Sequence, residues 1–142
     1  MAVFRLLKIH PFLISIYPLL ALIVWNYNYL IWQDVIRIVL VVLLVVVIAL
    51  YSLARLQHSY ARAALQISLT SFLFFSYGHL LRWLVPQLVK NSGYIMFISL
   101  TLVWILSWLI GIWVILRSRK KFQNTTFLLN TVSIAMVCLM LV

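Results

Sequence analysis

Residues 35–54 read VIRIVLVVLLVVVIALYSLA, and from position 39 to position 50 every residue is Val, Leu or Ile except Ala49. A half-buried strand would alternate apolar with polar residues, and an open sheet could not satisfy its backbone in lipid. An unbroken apolar run of about twenty residues makes instead a helix about 30 Å long, the thickness of a bilayer's hydrocarbon. Cutting the remaining sequence where charges and turn residues interrupt similar runs gives five expected spans, at residues 10–32, 35–54, 63–81, 94–116 and 125–142. The expected fold is all-α: a polytopic membrane bundle of five transmembrane helices forming a single domain over residues 1–142.

Composition agrees with that reading. Of the 142 residues 67% are hydrophobic and only 8% are charged, against roughly a quarter charged in soluble domains. A small soluble globule buries only about two-thirds of its surface and could not hide so much apolar area. Eleven Lys and Arg face one acid, for a net charge of +10. In a soluble protein that balance would point to nucleic acid, but these cations sit in the gaps between apolar runs, with no basic stripe interleaved with aromatics. Membrane lipids are therefore the expected partners and nucleic acid is not.

The cations also orient the chain. Arg5, Lys8, Arg55, Arg62, Arg117, Arg119, Lys120 and Lys121 fall on one side, and Arg37, Arg82 and Lys90 on the other. By the positive-inside rule the amino terminus is cytoplasmic and Val142 external, with Arg117, Arg119, Lys120 and Lys121 as topology anchors. Arg5 and Lys8 before an apolar core resemble the start of a signal peptide, but no small-x-small cleavage site follows and the run is long enough to span. Pro11 suits the first turn of a helix, whereas Pro18 should kink it.

Small residues suggest where helices meet. Ala64 with Ser68 and Ser107 with Gly111 are four-residue pairs that allow close backbone approach. The second span offers only aliphatic bulk and should face lipid over much of its surface. Trp25, Trp32, Trp83, Tyr94 and Trp113 lie near expected interfaces, as an aromatic belt requires.

Residues able to carry chemistry are few. The single carboxylate, Asp34, falls in an outer loop beside Arg37, so proton or cation coupling through a buried acid has no candidate. His10 and His58 belong near the inner face and His79 near the outer, too dispersed for a zinc site, and they read as interfacial histidines bonded to backbone or water. No catalytic residue, metal or cofactor is expected; a single histidine such as His79 could hold a pigment axially, and His10 with His58 could clasp a haem only if both reached inward from the interface. Hydroxyls without an acidic partner to orient a histidine should bond to the preceding turn or a neighbouring helix. Cys138 has no partner for an intrachain disulfide. Asn26, Asn28, Gln33, Ser76, Tyr77, His79, Gln87 and Asn91 should gather at the outer mouth as a structural plug or a docking surface, with Asn26, Asn28, Ser76, Tyr77 and His79 as its core.

Two motifs stand out from aliphatic filler: His10-Pro11-Phe12-Leu13 followed by Tyr17-Pro18-Leu19 and Asn26 or Asn28, and Phe75-Ser76-Tyr77-Gly78-His79. Thr126-Phe127-Leu128-Leu129-Asn130 accompanies them. In this order they resemble the amino-terminal membrane region of bacterial integral membrane proteins that carry a sulfatase-like, alkaline-phosphatase-type hydrolase or transferase domain. The resemblance implies a bacterial inner membrane as the location and chemistry in an extramembrane domain, with a metal-binding Asp and His set and a Ser, Thr or Cys nucleophile, none of it within this sequence. Either the chain is a shortened relative with another use for its bundle, or the rest lies beyond Val142. The leading expectation is a non-catalytic membrane anchor or accessory subunit leaning on other membrane subunits. The alternatives are the membrane part of a sulfatase-like enzyme acting on envelope glycans or lipids, and a pigment- or haem-associated subunit of an electron-transfer or light-harvesting complex.

Overall fold

The computed structural model describes residues 8–88, 93–118 and 122–140. Every regular element among them is helical: α1 His10–Trp25, a 3-10 turn Tyr27–Tyr29, α2 Trp32–Gln57, α3 Tyr60–Leu88, α4 Gly93–Arg117 and α5 Gln123–Met140. The helices α2 to α5 are long and apolar enough to cross a membrane.

The first helix is shorter than the span expected at 10–32. It stops at Trp25, and Trp32 already opens α2. Asn26 ends it: the backbone N–H still reaches Leu22 O and Ile23 O, while the side-chain Nδ2 also donates to Leu22 O at 2.8 Å. That local alternative to helix continuation is characteristic of Asn. Sixteen residues rise about 24 Å, short of the hydrocarbon thickness on their own. Pro11 lies in the first turn and the helix runs on through Pro18.

At the other end of α2 the chain reverses within two residues. His58 adopts a left-handed conformation at φ 49°, and the Ser59 N–H returns to Ala54 O. Ser59 then caps α3, its Oγ accepting the Arg62 N–H at 3.4 Å, as N-cap hydroxyls do.

The central helix is α3. Both α1 and α2 pack on it and on each other, α4 packs on its far flank, and α5 lies mainly against α1. The six consecutive residues 63–68 of α3 are all buried. Six residues advance more than a full turn, so α3 is enclosed on every side at that level. The buried apolar residues are mostly small, with Ala63 and Ala64 fully covered and Ala21 and Ala54 nearly so. Close approach of backbones, more than interlocking of large side chains, holds the centre. The Ala64 and Ser68 pair lies here, as its spacing suggested.

The aliphatic side chains of α2 point outward. Ile36, Leu40, Val41, Leu44, Val45 and Ile48 are exposed, while Val46 and Ala54 are its buried positions. None of the most apolar eighteen-residue window of α4 is buried. Gly111 faces Leu69 of α3: a Cβ at Gly111 would lie 2.5 Å from Leu69 Cδ2. The obstacle is the tip of a flexible side chain, so Gly111→Ala should cost less than about 1 kcal/mol as Leu69 turns aside. Gly111→Leu should cost about 1–3 kcal/mol by overpacking. Unfolding of the two variants in detergent, followed by circular dichroism, measures the difference. Equal stability of both would show that α4 does not press on Leu69.

Candidate functional site

Among the described residues, the buried polar side chains lie on α1, α3 and α5: His10 and Ser15, Gln66 and Ser68, and Thr126, Asn130 and Ser133, with Gln57 Oε1 of α2 buried as a single atom. On α5 the three fall at i, i+4 and i+7, one face of a helix. On α3, Ala64, Ser68 and Ser71 repeat the same spacing. These faces meet at His10.

The first backbone N–H groups of a helix have no partner inside it. Ile9, at the N-cap of α1, supplies no side-chain bond. Asn130 supplies it from 120 residues away, its Oδ1 accepting the His10 N–H at 3.0 Å. The imidazole turns to the opposite neighbour, where Nδ1 lies 2.6 Å from Ser68 Oγ. One residue therefore joins α1 to both α3 and α5. This corrects the reading of His10 as an interfacial histidine bonded to backbone or water: its side chain is fully covered and bonded to a serine.

Deeper in, Ser15 Oγ donates to Pro11 O at 2.7 Å and lies 2.7 Å from Ser71 Oγ. A hydroxyl has one proton to give, so Ser71 donates to Ser15. The pairs His10–Ser68 and Ser15–Ser71 advance in the same direction, which makes α1 and α3 parallel. Gln57 Nε2 donates to Gln66 Oε1 at 2.6 Å, closing the hairpin of α2 and α3.

A second set of bonds joins α3 to α4. Trp108 Nε1 donates to Thr70 Oγ1 at 2.9 Å, Trp104 Nε1 donates to Leu73 O at 2.8 Å, and Tyr77 Oη lies 2.7 Å from Thr101 Oγ1. Partner numbers rise on one helix as they fall on the other, so the two are antiparallel. Thr101 Oγ1 donates back to Phe97 O, and Tyr77 therefore donates to Thr101. Ser76, Ser99, Ser107 and Thr131 return their hydroxyls to the preceding turn of their own helices.

Among the residues expected at the outer mouth, the hydrogen bonds found run to their own or a neighbouring helix and not from one of these residues to another. Asn26 caps α1, Asn28 is exposed in the 3-10 turn, Ser76 bonds to Phe72 O and Leu73 O, Tyr77 bonds to α4, and His79 is exposed on α3. Gln33 is exposed at the start of α2. The Gln87 side chain, Asn91, Arg119, Lys120 and Lys121 lie outside what the structure describes. Arg117 closes α4, its guanidinium over the Trp113 ring.

Chemically, the seam at His10 is neutral. Ser68 and His10 stand at the distance of a nucleophile and its base, but Asp34, the chain's single acidic side chain, lies in the first turn of α2 beside Arg37. Both Ser68 and His10 are shut off from solvent. Among the described residues no group of three or more His, Cys, Asp or Glu could hold a metal ion. His10 Nε2 and Thr126 Oγ1 are buried without a hydrogen-bond partner. The arrangement selects which helices pair.

Removing Asn130 tests that role. Asn130→Leu leaves the His10 N–H without its acceptor and should destabilise the bundle by about 1–2 kcal/mol. Thr131→Val, one residue along on an exposed face, should change stability by less than about 0.5 kcal/mol. Equal effects in a detergent unfolding titration would remove the seam from the account of stability. No protein-family model matches the chain, and no curated protein or solved structure matches it either.

Proposed function

We propose that this protein is a non-catalytic membrane anchor or accessory subunit that crosses a bacterial inner membrane five times and packs against other membrane subunits. The observation that carries the proposal is the outward apolar surface. On α2 and α4 the most apolar windows are almost entirely unburied by the rest of the chain, far more exposed apolar area than water tolerates as a contiguous patch. Lipid or neighbouring helices would cover it.

Features at the helix ends support the same reading. Trp25, Trp32, Trp83 and Tyr94 are exposed near the ends of helices, and Trp113 lies exposed one turn from the end of α4. By contrast Trp104 and Trp108, in mid-helix, turn their N–H groups onto α3. Aromatic residues at both ends with polar tips satisfied in the middle is the pattern of a bilayer-embedded bundle. Arg55, Arg62 and Arg117 mark one end; Asp34, Arg37 and Arg82 mark the other. The parallel run of α1 with α3 favours counting α1 as a crossing despite its length, with the chain's start cytoplasmic and its end external.

The sulfatase-like resemblance is retained as a second reading because of one contact. His10 and Asn130, from two of its three quoted motifs, are hydrogen-bonded across the bundle. A coding sequence that continues past Val142 into a metal-binding hydrolase would favour that reading, and a stop codon there would count against it.

The crossings by α2, α3 and α4 are tested by labelling. In a Cys138→Ser background, Asn28→Cys should react with an impermeant maleimide added outside intact cells, and Ser118→Cys only after permeabilisation. Reaction of both from the same side would overturn the three crossings assigned between them, α2, α3 and α4. For the accessory role, purification should bring down larger membrane proteins. A monomeric, partner-free preparation that turns over a substrate would refute it.

A further inference from the structure

Two polar atoms of the buried seam have no hydrogen-bond partner, His10 Nε2 and Thr126 Oγ1. Their residues are 0% and 1% exposed. They open two of the motifs that stand out from aliphatic filler, His10-Pro11-Phe12-Leu13 and Thr126-Phe127-Leu128-Leu129-Asn130. A third such atom, Gln57 Oε1, belongs to another side of α3, because Gln57 bonds to Gln66, about 200° around that helix from Ser68.

One proton count fixes the tautomer of His10. The Ser68 hydroxyl bonds to His10 Nδ1 at 2.6 Å. Ser68 is the donor, since its proton would otherwise be buried without an acceptor. A neutral imidazole with a bare Nδ1 carries its hydrogen on Nε2. Nε2 is therefore an enclosed donor. On α5, the Thr126 N–H goes to Phe122 O at 2.9 Å, but the Thr126 hydroxyl makes no return bond to the chain.

The two atoms flank one bond. The His10 N–H reaches Asn130 Oδ1, and Thr126 lies four residues before Asn130 on the same buried face, about 6 Å along the axis of α5. That step is too long for a direct bond to a group level with Asn130, whereas one water joining two polar atoms spans about 5–6 Å. An N–H donor cannot ligate a cation, and full enclosure excludes an organic ligand. A water accepts from Nε2 and serves the threonine hydroxyl as donor or acceptor.

We infer that one internal water molecule is bound between the first turns of α1 and α5, accepting from His10 Nε2 and hydrogen-bonded to Thr126 Oγ1. It is a second link between these helices, beside the direct bond from His10 to Asn130. Two buried polar groups are satisfied by it, as internal waters do elsewhere.

The test is nuclear magnetic resonance on the full chain, isotopically labelled and held in mild detergent. The imidazole nitrogens should show a hydrogen on Nε2 and none on Nδ1. The His10 ring should also exchange magnetisation with a water held long enough to tumble with the protein. Thr126→Val keeps the side-chain shape and loses the hydroxyl, and should weaken the water signal about fivefold, the change in occupancy expected from one lost hydrogen bond. Thr126→Ser should retain it. The His10 amide shift, set by Asn130, reports in both variants that the seam is intact.

A protonated Nδ1, or a native ring with no bound-water signal, overturns the site. So does an undiminished signal in Thr126→Val, or its loss from Thr126→Ser with the amide shift unmoved. Should Thr126→Val fail to fold, the tautomer and the water signal of the native chain decide alone.

Discussion

A helix covered in Val, Leu and Ile has no reason to prefer one apolar neighbour over another, so pairing in this bundle depends on hydrogen bonds between polar groups of facing helices. In the bilayer setting proposed here, lipid tails match aliphatic side chains, and apolar contact discriminates poorly between neighbours. Polar groups do discriminate, because one left without a partner in apolar surroundings is costly. His10, Ser68, Ser71 and Asn130 choose the partners of α1; Thr70, Leu73 and Tyr77 choose α4 as the partner of α3.

The two sets of bonds differ in what they leave exposed. The seam at His10 is enclosed by three helices and supported by small residues, with Ala63 and Ala64 fully covered beside it. The ladder to α4 is partly exposed and attaches a helix whose substantial contacts are with α3 alone. An internally satisfied centre with a smooth, weakly flanked exterior suits a subunit whose business is with its surroundings.

Much of the fold was legible because apolar runs and charged interruptions are coarse signals that tertiary context seldom overrides. The outward face of α2 could be read from residues 39–50, and the close packing at Ala64 and Ser68 from their spacing. The end of α1 was harder. Leu30 and Ile31 prolong the apolar run past the point where Asn26 bonds to Leu22 O and stops the helix. Composition carries no mark of such a local bond. The polar seam was written at i, i+4 and i+7 in Thr126, Asn130 and Ser133, but one face of a helix does not name its partner. His10 next to Lys8 reads as a residue of the interface. Its burial becomes visible only when α5, far along the chain, is seen to lie against it.

That long-range capping has a consequence for how the protein is made. Asn130 follows His10 by 120 residues, and ribosomes add roughly 5–20 residues per second. The opening helix therefore leaves the ribosome on the order of ten seconds before its acceptor has been synthesised. Throughout that interval its leading amide lacks the Asn130 acceptor, while Ser68 and Ser71, made earlier, can already hold α1 against α3.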